Sequence, residues 1–151
     1  NSKNKFIMQK YINGIEYTVD AYISKNGCFI GAVPRIRNKV TDGESTQTTT
    51  VKNKKILNLT KKIINNFKFR GPICLQFIET KNKIYFSEIN TRFGGGVIAS
   101  IEAGFNIPQI MIKDFLDYDL KELLNYKKII MTRFYKETFY EINNWPWWNN
   151  M

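Results

Sequence analysis

Between residues 84 and 96 the chain reads Ile84-Tyr85-Phe86-Ser87-Glu88-Ile89-Asn90-Thr91-Arg92-Phe93-Gly94-Gly95-Gly96, which sets a carboxylate, an amide and a guanidinium on alternate positions. If this run is a strand, Ile84, Phe86, Glu88, Asn90 and Arg92 share one face, and Tyr85, Ser87, Ile89 and Thr91 share the other. One face then passes from apolar to ionic, with neighbours about 7 Å apart. Glu88 and Asn90 offer oxygen donors suited to a hard cation, and Arg92 a bidentate donor for phosphate or carboxylate. The three glycines open an apolar run, Val97 to Ala103. A helix there exposes backbone N–H groups to an anion. A solvated strand end and flexible loop account for the same letters, because E-x-N-x-R alone is a short motif.

Two further groups carry chemistry. Arg35 and Arg37 follow the apolar run Cys28 to Val33 and share a face by parity, as an anion clamp or as a solvated strand end. Gln76 alternates with Cys74 and Ile78 in a second apolar run, from Ile73 to Thr80.

The elements that hold these residues follow from period and punctuation. Lys5 to Tyr11 is β-like, and Asn13-Gly14 marks a tight turn into Ile15 to Ile23, where Tyr17, Val19, Ala21 and Ile23 oppose Glu16, Thr18 and Asp20. Asn26-Gly27 predicts a second hairpin turn. Asn38 to Thr50 has no hydrophobic period and reads as a long loop. Val51 to Phe67 is helical, with Ile56, Leu59, Ile63 and Phe67 as its apolar stripe, and Gly71-Pro72 separates it from the next strand. Gly104 is expected as a left-handed cap after Val97 to Ala103, and Asn106 with Pro108 starts another helix with Ile107, Ile110, Met111 and Phe115 inside. Leu120 to Leu124 reads as a helical turn or two, and Ile129 to Glu141 as β-like. Residues 143–151, with three tryptophans, read as an aromatic tail that packs or is covered.

At 151 residues, with 43% hydrophobic and 15% aromatic side chains, the chain is long enough for one cored domain, placed at residues 1–142. The net charge of +10 admits nucleic acid, anionic membrane or a phosphate-rich ligand. The abundance of Asn, Lys and Ile reads instead as a genome-wide bias toward lysine, which argues against nucleic acid. There is no histidine, and the two cysteines, Cys28 and Cys74, lack metal-type spacing. Zinc sites and histidine-based triads are thereby excluded, and the cysteines read as inert core residues of a cytoplasmic protein. No apolar run approaches a membrane span or a signal peptide. The chain begins without methionine and almost at once enters a strand-like pattern, as a piece of a longer protein does.

The order of these features, from Gln9-Lys10-Tyr11-Ile12 and Glu16 through Arg35, Arg37 and Gln76 to Glu88-Ile89-Asn90-Thr91-Arg92 and the glycines, resembles the ATP-grasp superfamily. Within it, the ATP-binding halves of carbamoyl-phosphate synthase large chains are most similar. The resemblance covers about Phe6 to Phe115. It implies an α+β fold, the C-terminal ATP-grasp subdomain, with an antiparallel β-sheet carrying the site and helices packed on one face. It also implies that the segment Gln9, Lys10 and Ile12 meets adenine, Glu16 the ribose, and Gln76, Glu88 and Asn90 the magnesium ions (or manganese) that bridge ATP phosphates. Arg92, Gly94 and Gly95 then lie by the γ-phosphate and the acceptor, Arg35 and Arg37 act as catalytic cations, and Asp42 to Ser45 form a substrate-side loop.

Chemistry of this kind activates a carboxylate as an acyl phosphate, which an amine opens, and it needs no histidine. The N-terminal and central ATP-grasp subdomains that complete the nucleotide clamp are expected partners, without which the isolated chain is expected to be inactive. A homodimer is compatible with the sequence. The competing reading is a non-enzymatic basic module that binds nucleic acid or another polyanion. The register supplies a test: Gln76 must face Glu88, which a three-residue turn Lys81-Asn82-Lys83, with Asn82 or Lys83 left-handed, achieves and a two-residue turn does not.

Overall fold

The structure, a computed structural model, describes residues 6–134, 136–139 and 141. Among these residues six strands, β1 (Ile15–Ile23), β2 (Phe29–Thr41), β3 (Glu44–Thr50), β4 (Gly71–Glu79), β5 (Ile84–Asn90) and β6 (Ile130–Thr132), form one sheet in the order β5-β4-β1-β2-β3-β6. Every pairing is antiparallel. Among the described residues three helices, α1 (Lys54–Asn66), α2 (Val97–Glu102) and α3 (Ile107–Phe115), complete the expected α+β architecture.

Strict alternation along β1 divides the core in two. Tyr17, Val19, Ala21 and Ile23 pack with Leu75, Phe77 and the α1 residues Ile56 and Ile64. On the opposite face Tyr22 joins Val33, Phe105, Ile107 and Ile110 under α2 and α3. The helices therefore occupy both faces rather than one, α1 covering one face and α2 and α3 the end of the other. Thr18 and Asp20 share that second face, which leaves polar side chains between the strands and the glycine segment.

Several local expectations are replaced. Residues 6–14 do not form a hairpin arm with β1, because β2 and β4 already take both of its edges. Residues 38–50 are not a loop: β2 runs on to Thr41, Asp42 and Gly43 turn with φ of 51° and 80°, and β3 returns. Two consecutive left-handed residues match the twist of a tight hairpin. The apolar signal is missing because the buried positions of β3 are Ser45, Thr48 and Thr50. Thr48 Oγ1 donates to Ile36 O at 2.7 Å and Thr50 Oγ1 to Lys127 O at 2.8 Å, so hydroxyls fill positions usually taken by aliphatic groups.

In α1, capped by Asn53 accepting from Ile56 N, the buried line is Ile56, Thr60 and Ile64, and Phe67 is exposed. Asn106 caps α3 as expected, while Phe115 lies outside the core. Gly104 is left-handed, with φ 109°. Leu120 to Leu124 is an extended strap, not a helix: Leu123 N donates to Ile30 O, and a Cβ on Gly31 would collide with the Leu123 carbonyl. Of the stretch read as β from residue 129, Ile130–Thr132 forms the edge strand β6, and Arg133 N still donates to Thr46 O. Cys74 is buried, but Cys28 is exposed at the β1–β2 turn. The tail at 143–151 lies outside the described residues. No helix among the described residues is long and apolar enough to cross a membrane.

Candidate functional site

The β4–β5 hairpin decides which face the chemistry occupies. Thr80 N donates to Lys83 O at 2.8 Å, so the turn is the two residues Lys81-Asn82, and Thr80 Oγ1 accepts from Lys83 N in place of the carbonyl. Neither Asn82 nor Lys83 is left-handed. Alone, that turn would set Gln76 and Glu88 on opposite faces. Instead, Phe77 pairs with Phe86 and Gln76 with Glu88, leaving Ser87 as an extra residue in a bulge. The expected single face from Ile84 to Arg92 is thus broken. Ile84 packs against the α1 core and the exposed Phe86 meets Phe77 on the same face at 5.8 Å, while Glu88 and Asn90 turn to the other side.

The registers align Glu88, Gln76, Thr18, Arg35 and Thr50 in one row across five strands, with Asn90, Cys74, Asp20 and Val33 in the next row. Gln76 Nε2 donates to Glu88 Oε1 at 2.7 Å within the first row, and Asn90 Nδ2 donates to the same oxygen from the second at 2.9 Å. Two amide side chains, one from each strand of the hairpin, thus converge on one exposed carboxylate. The adjoining pocket, about 90 Å³, is lined by Arg37, Gln76, Asn90 and Arg92 and by Glu44 with the glycine segment. That volume holds a phosphate-sized group rather than a whole nucleotide. A cavity of about 360 Å³ at the far end of β1 is larger, but its buried carboxylate, Asp114, is already satisfied by the Tyr22 hydroxyl and Lys25 N at 2.7 Å each.

The two arginines on β2 have different surroundings. Arg35 is 1% exposed, and its Nε and Nη2 donate to Asp20 at 2.7 and 3.2 Å. Asp20 also accepts from Ser100 Oγ of α2 at 2.5 Å, and Arg35 Nη1 donates to Thr48. Arg35 thus lies in the pocket floor, its charge held by a carboxylate. Arg37 is half-buried. Its Nε lies 3.2 Å from Glu16 Oε2 without hydrogen-bond alignment, and its Nη2 donates to Gly43 O at 3.0 Å. Arg92 is exposed and donates to Phe93 O.

The glycines seat the loop on this floor. A Cβ on Gly94 would stand 2.8 Å from Cys74 Sγ, and one on Gly96 would overlap the Arg35 guanidinium. At six residues, α2 has only a short backbone dipole, so close approach to Arg35 and Cys74 is the clearer reason for glycine here. Burial, assisted by the Asp20 charge, pushes the Cys74 thiol up to about 11, so it is a poor nucleophile at neutral pH. Gln9, Lys10 and Ile12 lie in the segment ahead of β1, with Gln9 and Lys10 exposed, and Glu16 begins the polar face of β1. The residues that sequence reading overlooked are Asp20 and Ser100, under the loop, and Arg133, beside it. A lone carboxylate inside the buried, alternating β1 was the available signal for Asp20; Arg133 has no local signal.

The six-stranded antiparallel sheet with its glycine loop places the chain in the α+β class, and folds of this build recur in larger solved enzymes. Biotin carboxylase from Campylobacter jejuni, solved as a β,γ-ATP complex, superposes with a TM-score of 0.60 at 23% identity over 74% of this chain and 27% of that one. N5-carboxyaminoimidazole ribonucleotide synthetase from Thermus thermophilus superposes with a TM-score of 0.62 at 13% identity, over 80% and 36% respectively. At such identities the likeness concerns the fold. The family described as "ATP-grasp in the biosynthetic pathway with Ter operon" matches residues 2–137, and the chain belongs to the ATP-grasp family. The carbamoyl phosphate synthase large chain of Clostridium perfringens (strain SM101 / Type A) is 30% identical over 132 residues, and that of Clostridium botulinum (strain Loch Maree / Type A3) 33% identical over 100. These alignments cover 82% and 61% of this chain but only 12% and 9% of the relatives' length.

Proposed function

We propose that this chain carries the magnesium- and phosphate-binding face of an ATP-grasp ligase that activates a carboxylate for attack by an amine, as a carbamoyl-phosphate synthase large chain-like enzyme. The observation that carries the reading is the convergence of Gln76 and Asn90 on Glu88, across a bulge that the hairpin would not otherwise need. The donor set suits Mg²⁺ or Mn²⁺, since a carboxylate and two amides supply hard oxygens after a half-turn of each amide's terminal torsion. Among the described residues no three His, Cys, Asp or Glu side chains cluster as a metal site. One protein charge is thus available, and the nucleotide's phosphates supply the remaining negative charge. Bound there, the metal supplies neutralisation of the phosphate oxygens.

The chain's own residues perform the rest. Arg92, exposed at the pocket, steadies the transferred phosphoryl group or the acceptor carboxylate, and Gly94 and Gly95 let backbone approach it. Arg37 orients Glu16 toward a ribose, and Gln9, Lys10 and Ile12 offer backbone to the adenine edge. Arg35 acts from beneath, holding the glycine loop in place. In the reaction a carboxylate oxygen attacks the γ-phosphorus, the bond to the ADP oxygen breaks, and an acyl phosphate forms. An amine then displaces phosphate. Turnover is assigned to this chain together with the N-terminal and central ATP-grasp subdomains, because the relatives are far longer than the region they share with it.

Calorimetric titration with Mg-ATP of the complete protein containing this chain tests the reading. Glu88→Gln keeps the shape and removes the charge, and is expected to weaken Mg-ATP binding at least ~10-fold, the loss of about 1.4 kcal/mol, at unchanged melting temperature. Gln76→Glu adds a second carboxylate and is expected to tighten binding of Mn²⁺ alone. Unchanged affinity in Glu88→Gln overturns the assignment.

A further inference from the structure

The glycine loop is held from a side that no motif in the chain announces. Arg133, immediately after β6, donates through Nη1 to Glu44 Oε2 at 2.9 Å and through Nη2 to the carbonyl of Gly95. Glu44 opens β3 directly after the Asp42-Gly43 turn. A Cβ on Gly95 would stand 3.1 Å from Glu44 Oε1, so the glycine lets this carboxylate close over the loop. Arg37 fixes the other side of the same turn through Gly43 O. One guanidinium therefore joins three sequence-distant pieces of the pocket wall: the β2–β3 turn, the glycine loop and the strand at the sheet edge. An ammonium, a point donor, would not match a carboxylate and a carbonyl in one plane as the guanidinium fork does.

We propose that Arg133 is a positioning residue for the phosphate-side pocket, a latch that sets the Gly95 backbone through its carbonyl while Glu44 sets the direction of the guanidinium. The short edge strand β6 has its function in this latch: paired to β3 through Gln47, Thr48 and Thr49, it delivers Arg133 to the loop. The proposal rests on the ligand reading above for what the pocket holds, and on geometry alone for the latch.

Two readouts on the complete protein separate these. The first is ligand-free hydrogen–deuterium exchange. Arg133→Ala is expected to raise exchange in the segment 94–99 at least ~5-fold while the β1 and β4 amides keep their protection, as for a local opening. The charge-swapped pair Glu44→Arg with Arg133→Glu restores an ion pair between the strands but offers no donor from position 133 to Gly95 O, so the loop is expected to remain fast-exchanging. The second is Mg-ATP affinity, expected to fall ~5-fold or more in Arg133→Ala and to be recovered only in part by Arg133→Lys, which replaces the fork by a point donor. Unchanged loop exchange in Arg133→Ala overturns the latch, as does full recovery of loop protection by the charge swap, which would leave a purely structural ion pair. Faster exchange with unchanged Mg-ATP affinity overturns the positioning role. A wild-type protein that binds no Mg-ATP refutes the ligand reading alone, and the exchange measurements then decide the latch.

Discussion

Asp20 and Arg35 are the most consequential pair at the residue scale, because their charges sit beneath the pocket where water does not reach. Both of Asp20's oxygens are engaged, by Arg35 and Ser100, and Arg35 reaches Thr48 as well, so neither ion is left without a partner. Breaking such a pair costs more than the pair contributes, since the survivor keeps its desolvation penalty. Asp20→Asn is therefore expected to destabilise the fold by about 3–5 kcal/mol in urea unfolding, against about 1 kcal/mol for Ser100→Ala. Near-equal losses in the two variants would show that Arg35 finds solvent or another acceptor. Alternation in β1 made the polar face of Glu16, Thr18 and Asp20 legible. That Arg35 is tied to Asp20 was not, since strands adjacent in sequence need a register before two residues are known to be neighbours.

At the scale of elements, the β4–β5 hairpin combines a two-residue turn with a bulge, and the two offset each other. The bulged Ser87 is the residue that keeps Phe86 on the α1 side of the sheet, edge-on to Phe77, while Glu88, two positions later, faces the pocket side. Removing Ser87 leaves each cross-strand partner in place, with Phe77 opposite Phe86 and Gln76 opposite Glu88 in an unbroken ladder. The deletion is accordingly expected to fold, with a loss below about 2 kcal/mol, and to retain Mg-ATP binding within a few-fold. Deleting Ile89 instead is expected to abolish binding, because it moves Asn90 to the opposite face. If the Ser87 deletion loses binding while remaining folded, the bend at the bulge itself aims Glu88. The hairpin is legible in the sequence, whereas the opposition of Gln76 to Glu88 is a condition that the family resemblance sets and that the bulge, not the expected three-residue turn, meets. A bulge has no letter of its own, however, and the turn is one residue shorter than parity alone requires.

Across the whole molecule, the buried acids predict how stability depends on pH. Burial raises Cys74 to about 11, with Asp20 adding to it, and raises Tyr126 to about 12. Tyr17 and Tyr22 are raised as well, by burial first and then by hydrogen bonds to Glu79 and Asp114. Each group holds its proton more tightly folded than unfolded. The corresponding stability is fully present below the unfolded values and is lost as pH rises through the folded ones. Melting temperature is expected to be level up to about pH 9 and to fall beyond it, with Cys74→Ser making the fall shallower between about pH 9 and 11. A melting temperature that stays flat through pH 11 in the wild type contradicts the burial of these four groups.

Period and punctuation were enough to establish the strands on which Gln76, Glu88 and Asn90 sit and the cap at Asn106, and the ordered motifs carried the ATP-grasp resemblance, with the α+β class it implied, that the family match upheld. These are local properties: side-chain alternation, cap chemistry and backbone freedom act over a few residues and are written in order along the chain. The tertiary structure alone decided that β3 is a strand, since Thr48 and Thr50 bury hydroxyls that only distant carbonyls satisfy. It also decided that residues 6–14 find no free edge on β1, that the helices divide between the two faces, and that Arg133 reaches Gly95 from 38 positions away. Each of these depends on which partner occupies a hydrogen-bonding edge or a cavity, and that is settled only when the whole sheet has closed around it.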